Sequence, residues 1–493
     1  MSDLTPGDPN APALPEAEGP AVGRDEWVAR HGEHRLTRGG RLGVYEERIR
    51  AIPWWAFLIL FLAAASLMPA VEASGYVRRV GFDTVIFMLL ALGLNVVVGW
   101  AGLLDLGYIA FFGIGAYAYA IFDSDKFGIH LPTIVAIPAI TVFGAVIGLL
   151  VGLPSRRLSG DYLAIVTLFF LELFETVMLN GNQIFGHNIT GGANGILRVD
   201  PLSFFGRSLA VQHQGIFAVS YYYVALALFA VVFVALRFAN LSRIGRTWRS
   251  LREDPLAAEV MGMPINWMKL TAFATGAGVA ALTGTIETSL TGSVFPLNFS
   301  PTVLITIYAM VILGGSGSQA GVVLGAILVN VLLQLLENPD QARVLFYLVI
   351  VLGVIAAFRF TRRLAFLAAE TIALGFVIHA IVRAAHPSWA TIGHSGFSGV
   401  MSNWVVVPQQ LTPWVGQVAY GVLIASVLGI TLLRGWARVI ALPPVLYLAA
   451  FVWENLMIPN PGPTRYIVLG VLLIVLMIAR PNGLLGERRV EIV

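Results

Sequence analysis

A chain of 493 residues in which 57% are hydrophobic and only 12% charged cannot fold as an ordinary soluble domain, where about a quarter of residues are charged. Its net charge of +3 comes from arginine, the only lysines being Lys126 and Lys269. The arginines sit in connections between apolar runs, a pattern that orients a membrane protein and excludes a nucleic-acid groove, and the lack of cysteine excludes disulfides, thiolate metal sites and cysteine nucleophiles.

Residues 1–52, rich in Pro, Ala, Glu and Gly and then in Arg, read as a largely disordered cytoplasmic tail without the apolar core of a signal peptide. From Pro53 onward apolar runs recur at 53–72, 83–100, 102–122, 131–153, 162–180, 216–238, 267–290, 302–314, 319–337, 343–358, 364–385, 413–433, 438–456 and 464–480. A bilayer takes ~20 residues per helix, so the pattern predicts an all-α polytopic transmembrane helical bundle of about 14 spans. With both termini cytoplasmic, Arg156/Arg157, the loop from Ser242, Arg359/Arg362/Arg363, Arg434/Arg438 and Arg480/Arg488/Arg489 share the inner side, and Arg78/Arg79 are the exception.

Taken in order, the polar residues within these runs are the candidate functional ones. Asp105, between Gly102 and Gly107, is costly inside an apolar run unless it is paired or faces water, so it either lines a pathway or caps a half-helix. Glu172 and Glu175 share one helix face and should point inward, either along a pathway or into a structural hydrogen bond. Glu287 and His379 stand isolated. Thr190-Gly191-Gly192-Ala193-Asn194-Gly195 falls in an outer connection and predicts tight turns, since Gly and Asn tolerate positive φ. It is a docking point, a gate or a plain turn.

The loop Ser242–Lys269 carries five Arg or Lys residues, Lys269 included, which places it in the cytoplasm. Within it, Asp254 can cap a short helix, Pro255 suits its first position and Gly262 its end. The loop resembles the coupling loop of ABC importer permeases, in which an Ala-Ala run followed by a Gly docks on the ATP-hydrolysing subunit. Gly314–Gly321 is glycine-rich but lacks the Gly-Lys-Ser/Thr of a phosphate loop, and HExxH and GxSxG are absent, which argues against an enzyme.

Further segments extend the likeness. Gly99-Trp100-Ala101-Gly102-Leu103-Leu104-Asp105-Leu106-Gly107-Tyr108 with Gly113 and Gly115, Gly160–Leu168, Thr190–Ile196, Ser242–Arg246 with Arg252–Asp254, Leu313–Ser318 with Gly321, Gly325 and Ala326, and Arg480-Pro481-Asn482-Gly483-Leu484-Leu485-Gly486 together resemble the LivM family of branched-chain amino acid ABC importer permeases. The likeness covers about 80–340 and 464–486. It divides the chain into a tail (1–52), a permease core (53–342), four inserted spans (343–463) and a last core span with its tail (464–493).

The resemblance implies a multi-pass protein of the bacterial cytoplasmic (inner) membrane with an ABC importer permease fold, surrounded by lipid. It implies a second homologous permease subunit, two ATP-binding subunits that hold ATP-Mg while this chain holds no cofactor, and a periplasmic or extracytoplasmic solute-binding protein. Coupling would run through Glu253, Asp254, Ala257, Ala258, Glu259 and Gly262; the pathway candidates are Asp105, Gly107, Glu172 and Glu175; the outer gate is Thr190, Gly191, Gly192, Asn194 and Gly195. The expected cargo is a branched-chain or other small neutral amino acid. The alternatives are a permease for urea or short amides, or an ion-coupled secondary transporter working through Asp105, Glu172 and Glu175.

Overall fold

A computed structural model describes residues 54–71, 75–156, 158, 160–182, 187–204, 207–209, 219–358, 362–385, 404–408 and 413–486. The expectations for the tail 1–52, for most of the connection Ala385–Pro413 and for Arg157, Arg359, Arg488 and Arg489 lie outside the described residues. The chain divides into two compact units, Met1–Ala65 and Ser66–Val493. Of the first, the structure describes the greater part of helix α1 (Trp54–Val71).

The second unit opens with α2 (Gly75–Leu94), which loosens into a π-helical turn at Asn95–Trp100. A non-helical stretch leads from there to α3 (Tyr108–Phe122), followed by α4 (Thr133–Gly152), α5 (Asp161–Asn180) and α6 (Val219–Leu241). Two short helices, α7 (Arg243–Glu253) and α8 (Pro255–Val260), precede the long α9 (Ile265–Thr291). The core then continues with α10 (Pro301–Gly314) and α11 (Gln319–Glu337). Four more helices follow, α12 (Pro339–Phe358), α13 (Arg362–Ala385), α14 (Pro413–Leu432) and α15 (Trp436–Val452), before α16 (Pro461–Ala479).

Every expected span contains one of these helices, and eleven of the described helices are long and apolar enough to cross a membrane. The remaining three are α1 and α3, which are shorter, and α9, which is rich in Thr and Gly. Helix α9 is the centre of the bundle and is buried along most of its length against α2, α3 and α4. Its hydroxyls are satisfied locally, as in Thr275 to Thr271 O (2.8 Å) and Thr283 to Val279 O (2.7 Å). Gly144, Gly148 and Gly152 of α4 form a stripe that touches Ala281, Ala277 and Phe273 of α9, the close backbone approach that holds membrane helices together in the absence of a hydrophobic drive.

Two expectations need correction. The span expected at 102–122 is not helical throughout, because residues 102–107 are irregular and α3 starts at Tyr108. Arg78 and Arg79, which broke the charge pattern, lie inside α2 rather than in a connection. Arg79 is neutralised there by Asp83 (2.8 Å) and by Glu287 of α9 (3.7 Å), so Glu287 is not isolated either.

Helices α12 and α15 are fastened to α11 at one end. A π-helical turn, Trp453–Met457, follows α15 and packs with Leu336 of α11 and Ala342 of α12. Trp453 stacks on Phe346 at 4.3 Å. Glu454, almost fully buried, accepts a bond from Arg343 Nε (2.9 Å) and one from the Tyr347 hydroxyl (3.3 Å). Helix α16 then returns against α10 and α11. Removing one member of a buried ion pair strands the other, which costs about 3–5 kcal/mol. Glu454→Leu should therefore lower the thermal midpoint of the purified protein, and Arg343→Met with Glu454→Met should recover most of the loss; an unchanged midpoint in the single variant would contradict the fastening.

Candidate coupling and pathway site

The charged loop folds as its sequence predicts. Ser242 caps α7 by accepting the Ile244 amide (3.2 Å). Asp254 caps α8, its Oδ1 accepting from Leu256 N (2.9 Å) and Ala257 N (3.0 Å), with Pro255 in the first turn. Gly262 closes the loop at φ +79°, a left-handed conformation that costs a side-chain-bearing residue energy. The alanine pair is split: Ala258 is buried against its own chain, whereas Ala257 is exposed beside Glu253, Asp254 and Glu259.

The sequence reading missed the apolar residues that α8 shows to the outside. Leu256 is 75% exposed, Val260 87% and Met261 79%. Their signal was the spacing of four between Leu256 and Val260, which places them on one face of a helix. Next to them lies an open groove of about 450 Å³ whose walls include Leu153, Arg156, Glu259, Met263 and Trp267.

Helix α7 ties this end of the molecule to the membrane core. Trp248 donates to Met268 O (3.0 Å) at the start of α9 and stacks on Trp100 at 6.1 Å. Trp100 Nε1 donates to Gly317 O (2.8 Å), and Gly317 N donates to Asn95 Oδ1 (2.8 Å). From the last turn of α7, the Arg252 guanidinium donates to Gly99 O and to Ser316 Oγ (3.3 Å). The Arg480–Gly486 segment locks the same loop from the other side, Leu484 N donating to Leu313 O (2.9 Å) and Leu485 N to Gly314 O (3.0 Å). Gly317, at φ +96°, leaves no room for a Cβ beside Arg252. Two glycine motifs distant in sequence are thus parts of one hydrogen-bonded joint.

Beyond the joint the chain is non-helical from Ala101 to Gly107, with Gly102 left-handed at φ +68° and a turn at Leu106–Gly107. Asp105 is 1% exposed and its Oδ1 accepts from Gly107 N (2.9 Å), a local turn just before α3, whose N-cap is Gly107 without a side-chain cap bond. The Tyr308 hydroxyl of α10 accepts from Asp105 N (3.1 Å) and donates to Asp105 O (2.6 Å). Leu106 N donates to Thr167 Oγ1 of α5 (2.9 Å), and Gly107 packs on the Thr167 carbonyl. Glu172 and Glu175 are not brought to Asp105 and do not point into the bundle of this chain: Glu172 is exposed and Glu175 half-buried on the open side of α5.

The outer connection forms the expected turns. Gly191, Gly192 and Gly195 adopt φ of +81°, +59° and +64°. The buried Thr190 donates to Met178 O (2.7 Å) and accepts from Gly192 N (3.2 Å), while Asn194 is exposed. The adjoining strand Ile196–Leu197 pairs antiparallel with Ser293–Val294 beyond α9. Close by, burial lifts the Asp123 carboxyl to about 6, opposed by the Leu131 amide. Among the described residues no group of three or more acidic or histidine side chains could hold a metal.

Comparison with known proteins agrees with this geometry. Residues 77–357 match the model of the family described as branched-chain amino acid transport system / permease component. The high-affinity branched-chain amino acid transport system permease protein LivM of Escherichia coli (strain K12) is 36% identical over 303 residues, covering 58% of this chain and 69% of that protein. LivM of Salmonella typhimurium is 37% identical over the same shares, and the probable LivM permease of Methanocaldococcus jannaschii is 29% identical over 263 residues, 49% of this chain and 72% of that one. No solved structure matches. The chain belongs to this permease family.

The joint predicts a local effect. Arg252→Ala deletes two bonds made by a charged donor, each worth about 1.5–3 kcal/mol, so amide hydrogen exchange at 99–103 and 315–317 should accelerate about tenfold or more while α9 stays protected; unchanged exchange there would contradict the joint. A second effect concerns pH. An acid whose folded value is raised gives stability that is present below its unfolded value near 3.8 and lost as the pH rises through about 6. Asp123→Asn should therefore flatten the fall in thermal midpoint over that window, and an identical pH profile in both proteins would contradict it.

Proposed function

We propose that this member of the branched-chain amino acid transport permease family is one of two permease chains in an ATP-driven importer of branched-chain amino acids in the bacterial cytoplasmic membrane. That the chain is a multi-pass permease subunit, a transport protein rather than an enzyme and part of an ABC transporter complex, follows from its family. The cargo rests on the names of its relatives. The partners we infer are a second homologous permease, two ATP-binding subunits carrying ATP-Mg, and a solute-binding protein outside. The described residues of this chain hold no cofactor in this reading. Residues 343–463 are an insertion between the core and its last span, a reading supported by Arg480–Gly486 docking on the core from beyond it; the family match ends at 357 and so takes in α12 but none of α13, α14 and α15.

The observation that carries the reading is the exposed apolar face of α8 at the end of a rigid connection. Leu256, Val260 and Met261 would cost hydrophobic free energy if left in water, and a patch of this kind marks a docking surface. Through Trp248 and Arg252, whatever pushes on α8 pushes on the turn at Asn95–Trp100. Closure of two ATPases on ATP is the push that alternating access needs. The turn-rich Thr190–Gly195 connection, at the opposite end of α5, is the surface for the binding protein.

Three measurements test this. Cysteines placed at Ser250 and Asn194, in a chain without native thiols, should be labelled from opposite sides of the membrane. In proteoliposomes, uptake of leucine, isoleucine or valine should require ATP and persist with an uncoupler. Val260→Glu should leave the chain inserted but weaken its hold on the ATPases by about 2 kcal/mol, near thirtyfold, as for a central interface residue. Unaltered association together with unaltered stimulation of ATP hydrolysis would contradict the docking role.

A further inference from the structure

The segment Ala101–Gly107 leaves helical structure well inside the membrane. At one end it is held by Arg252, and at the other it reaches Thr167, six residues or about 9 Å along α5. Tyr308, the residue of α10 that grips Asp105, lies seven residues or about 10 Å from the start of its own helix. The segment therefore climbs from the α8 end of the molecule toward mid-depth.

Its residues alternate in burial. Ala101, Leu103, Asp105 and Gly107 are buried, whereas Gly102 is exposed, Leu104 is 41% exposed and Leu106 is half-buried. The amides of Gly102 and Leu104 have no acceptor among the described residues. Hydrocarbon cannot cover such a face, because an unpaired peptide group costs several kcal/mol there, and non-helical backbone survives at membrane depth only inside protein or beside water. The adjoining helix α5 also shows a carboxylate, Glu172, on its exposed side past the middle of its length, where lipid is equally excluded.

We propose that Gly102, Leu104 and Leu106 form a wall of the translocation pathway, and that Leu104 is the side chain that meets the aliphatic group of a passing neutral amino acid. The assignment rests on the permease reading above and places the pathway on the opposite edge of the segment from Asp105, whose carboxylate is turned into the protein and bonded to the Gly107 amide. A non-helical segment of alternating burial suits this role: Tyr308 grips Asp105 and Thr167 grips the Leu106 amide, leaving the Leu104 and Leu106 side chains and the unpaired amides of Gly102 and Leu104 to meet a zwitterion. Leu104 supplies the apolar contact that separates aliphatic amino acids from polar ones.

The test uses the absence of native cysteine. Leu104→Cys and Leu103→Cys are made in the full chain, assembled with its partners in proteoliposomes, and exposed to a charged, membrane-impermeant methanethiosulfonate. Leu104→Cys should react about tenfold faster than Leu103→Cys, since only a water-facing thiol ionises and meets the reagent, and leucine delivered during turnover should slow it at least about twofold. Leu106→Cys is the second probe if Leu104→Cys fails to assemble. Equal rates at 103 and 104, or reaction only after the permease chains are separated, overturn the proposal, the latter by showing that the second permease covers this edge. Failure of the parent reading shows separately, as absence of ATP-dependent uptake of leucine, isoleucine and valine by the unsubstituted complex.

Discussion

A peptide chain that stops being helical inside a membrane must find partners for its amides within the protein, because each one left bare in hydrocarbon costs several kcal/mol. That constraint organises the functional half of this molecule. After Trp100 the helix ends, and the surrounding elements supply partners for much of the backbone: Arg252 for the Gly99 carbonyl, Tyr308 for both backbone groups of Asp105, Thr167 for Leu106, and the segment's own Asp105 side chain for Gly107. The first three come from three different helices. A break that in isolation would weaken the fold becomes the point where α5, α7 and α10 meet.

The same break explains how a signal at one end can reach the middle of the membrane. A continuous helix transmits only along its own axis, whereas the turn at Asn95–Trp100 is gripped by the side chain of Arg252, the indole of Trp248 and the backbone of Gly317. The gripping loop is fixed in turn by Arg480–Gly486. Helices α12 to α15 do not disturb this arrangement, because their buried contact with α11, around Glu454 and Trp453, gathers at its Glu337 end, away from Gly317 at the other end.

Hydropathy made the bundle legible, and charge with capping residues made the loop at Ser242–Lys269 legible down to Asp254, Pro255 and Gly262. The break at Ala101–Gly107 was not, because an apolar run such as Gly102–Phe122 has the same polarity whether helical or extended, and only its glycines hinted otherwise. Asp105 was correctly singled out as costly, yet which way it turns depends on Tyr308, some two hundred positions later. Glu172 and Glu175 were expected to point inward, but Glu172 is exposed and Glu175 half-buried, because helix spacing fixes which residues share a face and not which way that face turns. Ala257 and Ala258 were read as a pair, but on a helix adjacent residues point about 100° apart, so one packs on the protein and the other faces out.

The central claim is mechanical: α7, the turn at Asn95–Trp100, the Gly315–Gly317 loop and Arg480–Gly486 move as one body. Spin labels at Ser250 of α7 and Leu485 of the docked segment test it by electron–electron distance measurement in the assembled transporter, with and without trapped nucleotide. The separation between these two should stay constant while both shift relative to a label at Asn194 on the far side. A change in the Ser250–Leu485 distance, with either label fixed relative to Asn194, would show that the joint slips and would contradict the account.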